Sequence, residues 1–451
     1  MRTKIYSKME ISKIDLDALN AIVKITVDRS DYEKNVLAVL IDYKKNANIP
    51  GFRKGHVPMG MIKKQYQKAV IIDEVNKLLR ENLENFIKDE KLDLLGNPLP
   101  KSVEEKLDWN AEQIDFEFEL GLAPKFEVKI EQLKKVVQYE IDPELKMIDE
   151  QLDYTRKQYG KLVSQTAPEK DFEITAKFSN QEHEIEKIST FKLDDLKSKK
   201  AINCLKKETI NSIVNFPVKG FYKDNDLLKR ELSLNDDQMK ALISSHISLE
   251  IKEINKRIPA ELNQEFYDKL YAEGTVTSEK QLKEKIKEDL RKQFIPQADQ
   301  KLMGDITEFL IKKIKFELPS DFLKRWMQNS GKEKLTIEQA DEEYNKSEKG
   351  IRYQLIEGKI ISDNKLDISF EELKAFAGTM IENQMRQYGQ QPDQKQIDGI
   401  VSDLLANQEE TRRISEQLKS NKILTFFKEN APLKKKKVRF DTFVKEAYGK
   451  A

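Results

Sequence analysis

The sequence predicts an α+β multidomain protein, predominantly helical, with a mixed N-terminal module, a small β-containing insertion and a long helical remainder. Three observations carry this. Residues 21–27, AIVKITV, and 114–120, IDFEFEL, have the composition or strict alternation of strands, with helical patterns between them. Residues 161–256 hold short β-like pieces such as FEITAKF and HISLEIKEI, separated by polar segments. From about residue 257 onward, apolar residues recur at helical spacing.

In chain order, the strand at 21–27 is followed by SDYEKNVLAVLIDY, where Ser30 and Glu33 form a capping-box pattern and Val36, Leu40 and Tyr43 share a face. After a turn-rich loop, Pro58 suits the first turn of a second helix, whose stripe is Val75, Leu79, Leu83 and Phe86. LLGNPLP ends that pattern before the alternating strand IDFEFEL. DPELKMIDEQLDYTRKQYGKLV begins a long charged helix, and the insertion at 161–256 interrupts it. Beyond 257, DQKLMGDITEFLIKKIKFELP places Leu302, Ile306 and Phe309 on one face and stops near Pro319. ENQMRQYGQQPDQKQ reads as a loop or helix tip.

The loop NIPGFRKGHVP, residues 48–58, is the most pointed stretch. Pro50 and Gly51 suit the two central positions of a type II turn, where glycine accepts a positive φ, and Phe52 then sits on a bend. A phenylalanine on an exposed bend leaves water only when a partner docks against it. The charge here is segregated: no acidic residue lies between Asp42 and Asp73, while Lys44, Lys45, Arg53, Lys54, Lys63, Lys64 and Lys68 all do. The bland alternative, a solvated helix pair with an ordinary turn, accounts for the cations but not for Phe52. A second cationic run, Lys434–Lys437, follows a helix and Pro432, where a helix C-terminus also favours cations; it is read as structural.

Composition removes several function classes. With 80 basic and 79 acidic residues the net charge is +1, so electrostatic attraction to a partner is local. The single Cys204 and the scattered His56, His183 and His246 supply neither a disulfide framework nor a zinc cluster, and they suit a reduced compartment. No apolar run has the length of a membrane span, so the sequence is read as soluble and cytoplasmic. No phosphate-cradling glycine loop, nucleophile elbow or H-E-x-x-H pair occurs, so neither nucleotide nor metal nor any other cofactor is expected. Carboxylate pairs are plentiful, but at this charge density they read as solvated helix faces.

GFRKGHVP, within GFRKGHVPMGMIKKQY, resembles the signature of the trigger factor family of ribosome-associated chaperones, and KRIPAELNQEFYDKL is similar to that family's passage from its isomerase domain to its chaperone domain. The resemblance implies a ribosome-binding domain at 1–130, a linker and first chaperone helix at 131–160, an FKBP-like domain at 161–256 and a helical chaperone domain with arms at 257–451. It also implies that Gly51, Phe52, Arg53 and Lys54 dock on a ribosomal protein and neighbouring rRNA beside the exit tunnel, with Pro50, Gly55 and Pro58 shaping the loop. The implied cargo is unfolded and nascent polypeptide, with no membrane and no nucleotide; a homodimer away from the ribosome is compatible. His56 departs from the lysine usual there.

The resemblance weakens in the middle domain. No glycine occurs between Lys161 and Lys219, Lys177 of KFSN stands where the family shows an acid, and no Ile-Pro-Gly element follows. The reading therefore leans against a prolyl isomerase, with no catalytic residue assigned. Phe172, Phe178, Phe191, Phe216 and Phe221 are expected mostly as core. An active peptidyl-prolyl isomerase and a nucleic-acid binder using the basic loop are the two alternative functions.

Overall fold

The computed structural model describes residues 2–6, 9–48, 50, 52–101, 108–109, 111–331, 333–390 and 392–449. Contacts divide the chain into two compact units, 1–137 with 302–434, and 138–301 with 435–451.

The first unit opens with strands β1 (Arg2–Tyr6), β2 (Met9–Asp15) and β3 (Asn20–Asp28), helices α1 (Arg29–Asn46) and α2 (Met59–Asp89), then β4 (Leu99–Pro100) and β5 (Gln113–Gly121). The strands form one antiparallel sheet in the order β1-β2-β3-β5-β4. Alternation in β3 turns Ala21, Val23, Ile25 and Val27 inward. Onto that face pack Tyr32, Val36 and Leu40 of α1 and Ile62, Val70, Val75, Leu79, Leu83 and Phe86 of α2. Two sequence expectations are corrected here. Strands β1 and β2 precede the first strand read, their alternation diluted by Lys, Ser and Glu. Helix α1 begins earlier than a Ser30 cap allows: Asp28 is the N-cap, and its backbone N–H donates to Asp31 at 2.9 Å.

The second unit begins with β6 (Val137–Asp142) and α3 (Leu145–Gln158), and then enters the middle domain through β7 (Lys161–Ser164), β8 (Glu173–Asn180), β9 (Ile185–Lys192), α4 (Lys199–Leu205), β10 (Ile213–Pro217), α5 (Asn225–Glu231), α6 (Asp236–Leu242) and β11 (His246–Ile258). Its antiparallel sheet runs β10-β11-β8-β9, with β7 also on β11. The inward face of that sheet and all three short helices share one core. Helices α7 (Gln264–Leu270) and α8 (Glu279–Lys313) follow, and the early part of α8 packs with α3.

From Leu302 the first unit resumes, with the end of α8, then α9 (Ser320–Ser330), α10 (Ile337–Asn364), α11 (Phe370–Gln387), α12 (Gln394–Ala406) and α13 (Gln408–Asn430). Leu302, Ile306 and Leu310 make the buried stripe, with Phe309 beside it rather than in it. The glutamine-rich break is shorter than the sequence suggests, since α11 continues to Gln387 and α12 starts at Gln394. Helices α11–α13 close a small core around Leu373, Ala377, Ile381, Ile397, Val401 and Ile414. Lys434–Lys437 are neither tail nor helix end: they open β12 (Lys434–Arg439), which pairs with β6 and leads into α14 (Phe440–Tyr448). The C-terminal region, expected from the sequence to be all helix, thus carries a strand that makes a two-stranded ribbon with β6. No helix among the described residues is long and apolar enough to cross a membrane.

Candidate functional site

Helices α1 and α2 form a hairpin whose closed end is the loop 47–58. Its buried stripes hold the helices together and Val57, fully buried, anchors the loop's base. The loop starts where the Ala47 N–H donates to Tyr43 O at 2.7 Å, and it ends at Pro58, the N-cap of α2, whose carbonyl accepts from the Met61 N–H at 3.0 Å. Between them the His56 N–H donates to Arg53 O at 2.9 Å and Gly55 has φ +84°. This is type II geometry, with Lys54 and Gly55 as the central pair. The sequence places such a turn at Pro50–Gly51; Gly51 lies outside the described residues, and the turn that is described falls four residues later.

Around that turn Phe52 is 39% exposed, and Arg53, Lys54, His56, Pro50 and Pro58 are exposed as well. The Tyr43 and Tyr66 rings meet edge to face at 5.4 Å, closing the hairpin behind the loop. Among the described residues, none of Lys44, Arg53, Lys54, Lys63, Lys64 and Lys68 is in an ion pair, and Lys45 reaches Asp42 only at 3.9 Å with both side chains exposed. The cations therefore remain available to an outside partner.

The structure adds residues that sequence reasoning missed. Leu37 and Ile41 of α1 are 45% and 40% exposed, and Tyr43 and Met61 are exposed too. With Phe52 they are five of the twenty-one exposed large apolar side chains among the described residues, gathered between positions 37 and 61. A signal was present: VLAVLI, residues 36–41, holds more apolar side chains than one buried helix stripe can use. Residues one position past Val36 and Leu40 turn about 100° away, out of the core.

The middle domain is built the opposite way. Phe178 is 0% exposed, and Phe172, Phe191, Phe216, Phe221 and Tyr222 are buried with it. The Phe178 and Phe191 rings meet edge to face at 5.6 Å, and Phe216 stacks on Phe221 at 5.1 Å. Leu228 of α5, Leu232 at its C-cap and Met239 and Leu242 of α6 complete this core, and the Ser189 hydroxyl hydrogen-bonds Glu231 of α5. The Tyr222 hydroxyl is buried without a hydrogen-bond partner, and burial pushes its ionisation up. Lys177 stands where the resemblance expects an acid. Alternation in β8 turns it to the outer face of the sheet, where it pairs with Glu186 at 2.7 Å. No group of His, Cys, Asp or Glu that could hold a metal ion occurs among the described residues.

Three family models match successive stretches of the chain. Residues 9–155 match that of bacterial trigger factor protein, 162–259 that of the FKBP-like domain of probable trigger factor, and 298–446 that of its C-terminal domain. A trigger factor of Treponema denticola is 23% identical over 473 residues, covering 95% of this chain and 97% of its own. One of Francisella tularensis is 24% identical over 431 residues, covering 92% and 89%. A solved structure concerned with promiscuous substrate recognition in folding and assembly by the trigger factor chaperone superposes with a TM-score of 0.58 at 15% identity, over 93% of this chain and 99% of that one. That last likeness is one of fold.

Proposed function

The chain belongs to the trigger factor family, and from that premise we propose that it is an ATP-independent, ribosome-associated chaperone that takes up nascent chains as they leave the exit tunnel. The reading rests on the concentration of exposed apolar side chains and unpaired cations at the closed end of the α1–α2 hairpin. Burying the exposed part of Phe52 contributes roughly 2 kcal/mol. Arg53 can make a bidentate pair with a carboxylate of a ribosomal protein, and the lysines attract rRNA phosphate. Pro50, Gly55 and Pro58 hold the loop in the docking shape. A pure phosphate binder has no use for Phe52, which sets this reading above a nucleic-acid protein.

Client binding belongs to the helical region, where α11–α13 present a mixed polar and apolar surface suited to many weak contacts. The site of action is the cytoplasm, where ribosomes are. The test is co-sedimentation of the purified protein with ribosomes, with suppression of aggregation of a denatured client measured with and without ATP. Binding in the absence of nucleotide supports the proposal. Failure to co-sediment, or a strict need for ATP, overturns it.

A further inference from the structure

Helix α9 meets the sheet of the hairpin-bearing module in an unusual way: two aromatic rings lie on two glycines. The Phe322 ring, buried, rests on Gly121 at the end of β5 so closely that an added Cβ would overlap it. The Trp326 ring covers Gly96, where a Cβ would come within 2.9 Å of ring carbons. Between the two, Arg325 reaches Glu119 of β5 at 2.7 Å. The spacing 322, 325, 326 puts all three on one face of the helix. On its other side α9 is tied to α10, where Lys324 pairs with Asp341 at 2.9 Å and lies over the Tyr344 ring at 5.6 Å.

We infer that α9 is a keyed joint fixing the hairpin module to α10, with Phe322, Arg325 and Trp326 as positioning residues. A smooth apolar contact tolerates sliding by part of a turn; rings seated over bare glycine Cα atoms, with a charged pair between them, have one register. Seating the loop on its partner then also sets where α10 stands, so emerging chain meets the helical region in one orientation. That consequence rests on the docking reading above; the joint itself does not.

The experiment uses the full chain with Cys204→Ser and spin labels at Lys34→Cys on α1 and Lys349→Cys on α10, both exposed. Pulsed electron-spin distance measurements on the free protein are expected to show one narrow distribution. Gly121→Ala, where no positive φ complicates the change, and Trp326→Ala are each expected to widen it at least two-fold. Ribosome co-sedimentation is expected to stay within two-fold of the parent while protection of a ribosome-bound nascent client falls several-fold. Should Gly121→Ala fail to fold, Trp326→Ala decides. A parent distribution already broad, or a Trp326→Ala distribution as narrow as the parent's, overturns the joint. Loss of co-sedimentation by the parent overturns the docking reading and leaves the distance result standing.

Discussion

Phe52 and Phe178 are the same residue in opposite situations. Phe52 sits on a cationic bend with over a third of its surface in water, while Phe178 is sealed among Phe191, Tyr222 and the helices α5 and α6. The difference teaches how to separate contact from architecture in a chain with 21 phenylalanines. A ring left exposed where the fold could have hidden it points outward to a partner; a ring at zero exposure stabilises its own domain. The strongest way to break the comparison is to truncate Phe178. Phe178→Ala is expected to destabilise the middle domain by about 3–5 kcal/mol, seen in chemical denaturation. In a protease-coupled prolyl peptide assay the full chain should not accelerate isomerisation, because the aromatic side chains that could wall a pocket are already filled by α5 and α6. Turnover that disappears in Phe178→Ala would make the domain an enzyme and end the comparison.

At the other pole, Phe52→Ala/Arg53→Ala/Lys54→Ala is expected to weaken ribosome binding about 100-fold, on the order of 3 kcal/mol, with melting unchanged. Phe52→Ala alone separates the functions: an undiminished affinity would favour a phosphate binder, a large loss a docking tip. Leu37→Ser/Ile41→Ser should cost less, about ten-fold, if the α1 face extends the contact. Quantitative co-sedimentation checks all three, and an unchanged affinity in the Leu37 and Ile41 variant would confine the contact to the loop.

Much of this contrast was legible in the sequence because it depends on local signals. The turn-rich loop, the acid-free stretch from 43 to 72 and the alternation of IDFEFEL are readable without neighbours. What was not legible depends on partners distant in the chain. Leu37 and Ile41 look like core until α2 is seen to cover only one face of α1. Lys434–Lys437 look like a helix end until β6, nearly three hundred residues earlier, supplies a strand to pair with. Lys177 stands where the resemblance expects an acid, and only the register Lys177↔Ile188 on β9, with the pair to Glu186, shows that it lies on the outer face. Gly96 and Gly121 carried no signal, since the rings that need them come from α9.

The smallest expected effect asks whether the middle domain's stability is apolar throughout. At its edge Glu173 of β8 receives two hydrogen bonds from Arg257 of β11, at 2.7 and 2.8 Å, and the same guanidinium also donates to Lys157 O at the end of α3. The Arg257 hydrogen bonds hold the Glu173 carboxyl below the usual glutamate range, against the opposing effect of burial. A carboxyl depressed in the folded state contributes stability that is complete above its unfolded value. That contribution is lost as pH falls through the ordinary glutamate range towards the folded value. Glu173→Gln is therefore expected to cost about 1 kcal/mol at pH 7 and progressively less on acidification, until variant and parent converge. Urea denaturation of the full chain at pH 7, 5 and 3, followed by a probe in the middle domain, reads the difference. A gap between variant and parent that stays constant across that range would mean that Glu173 acts through packing, and the domain's entrance would then be held by the same apolar burial as its centre.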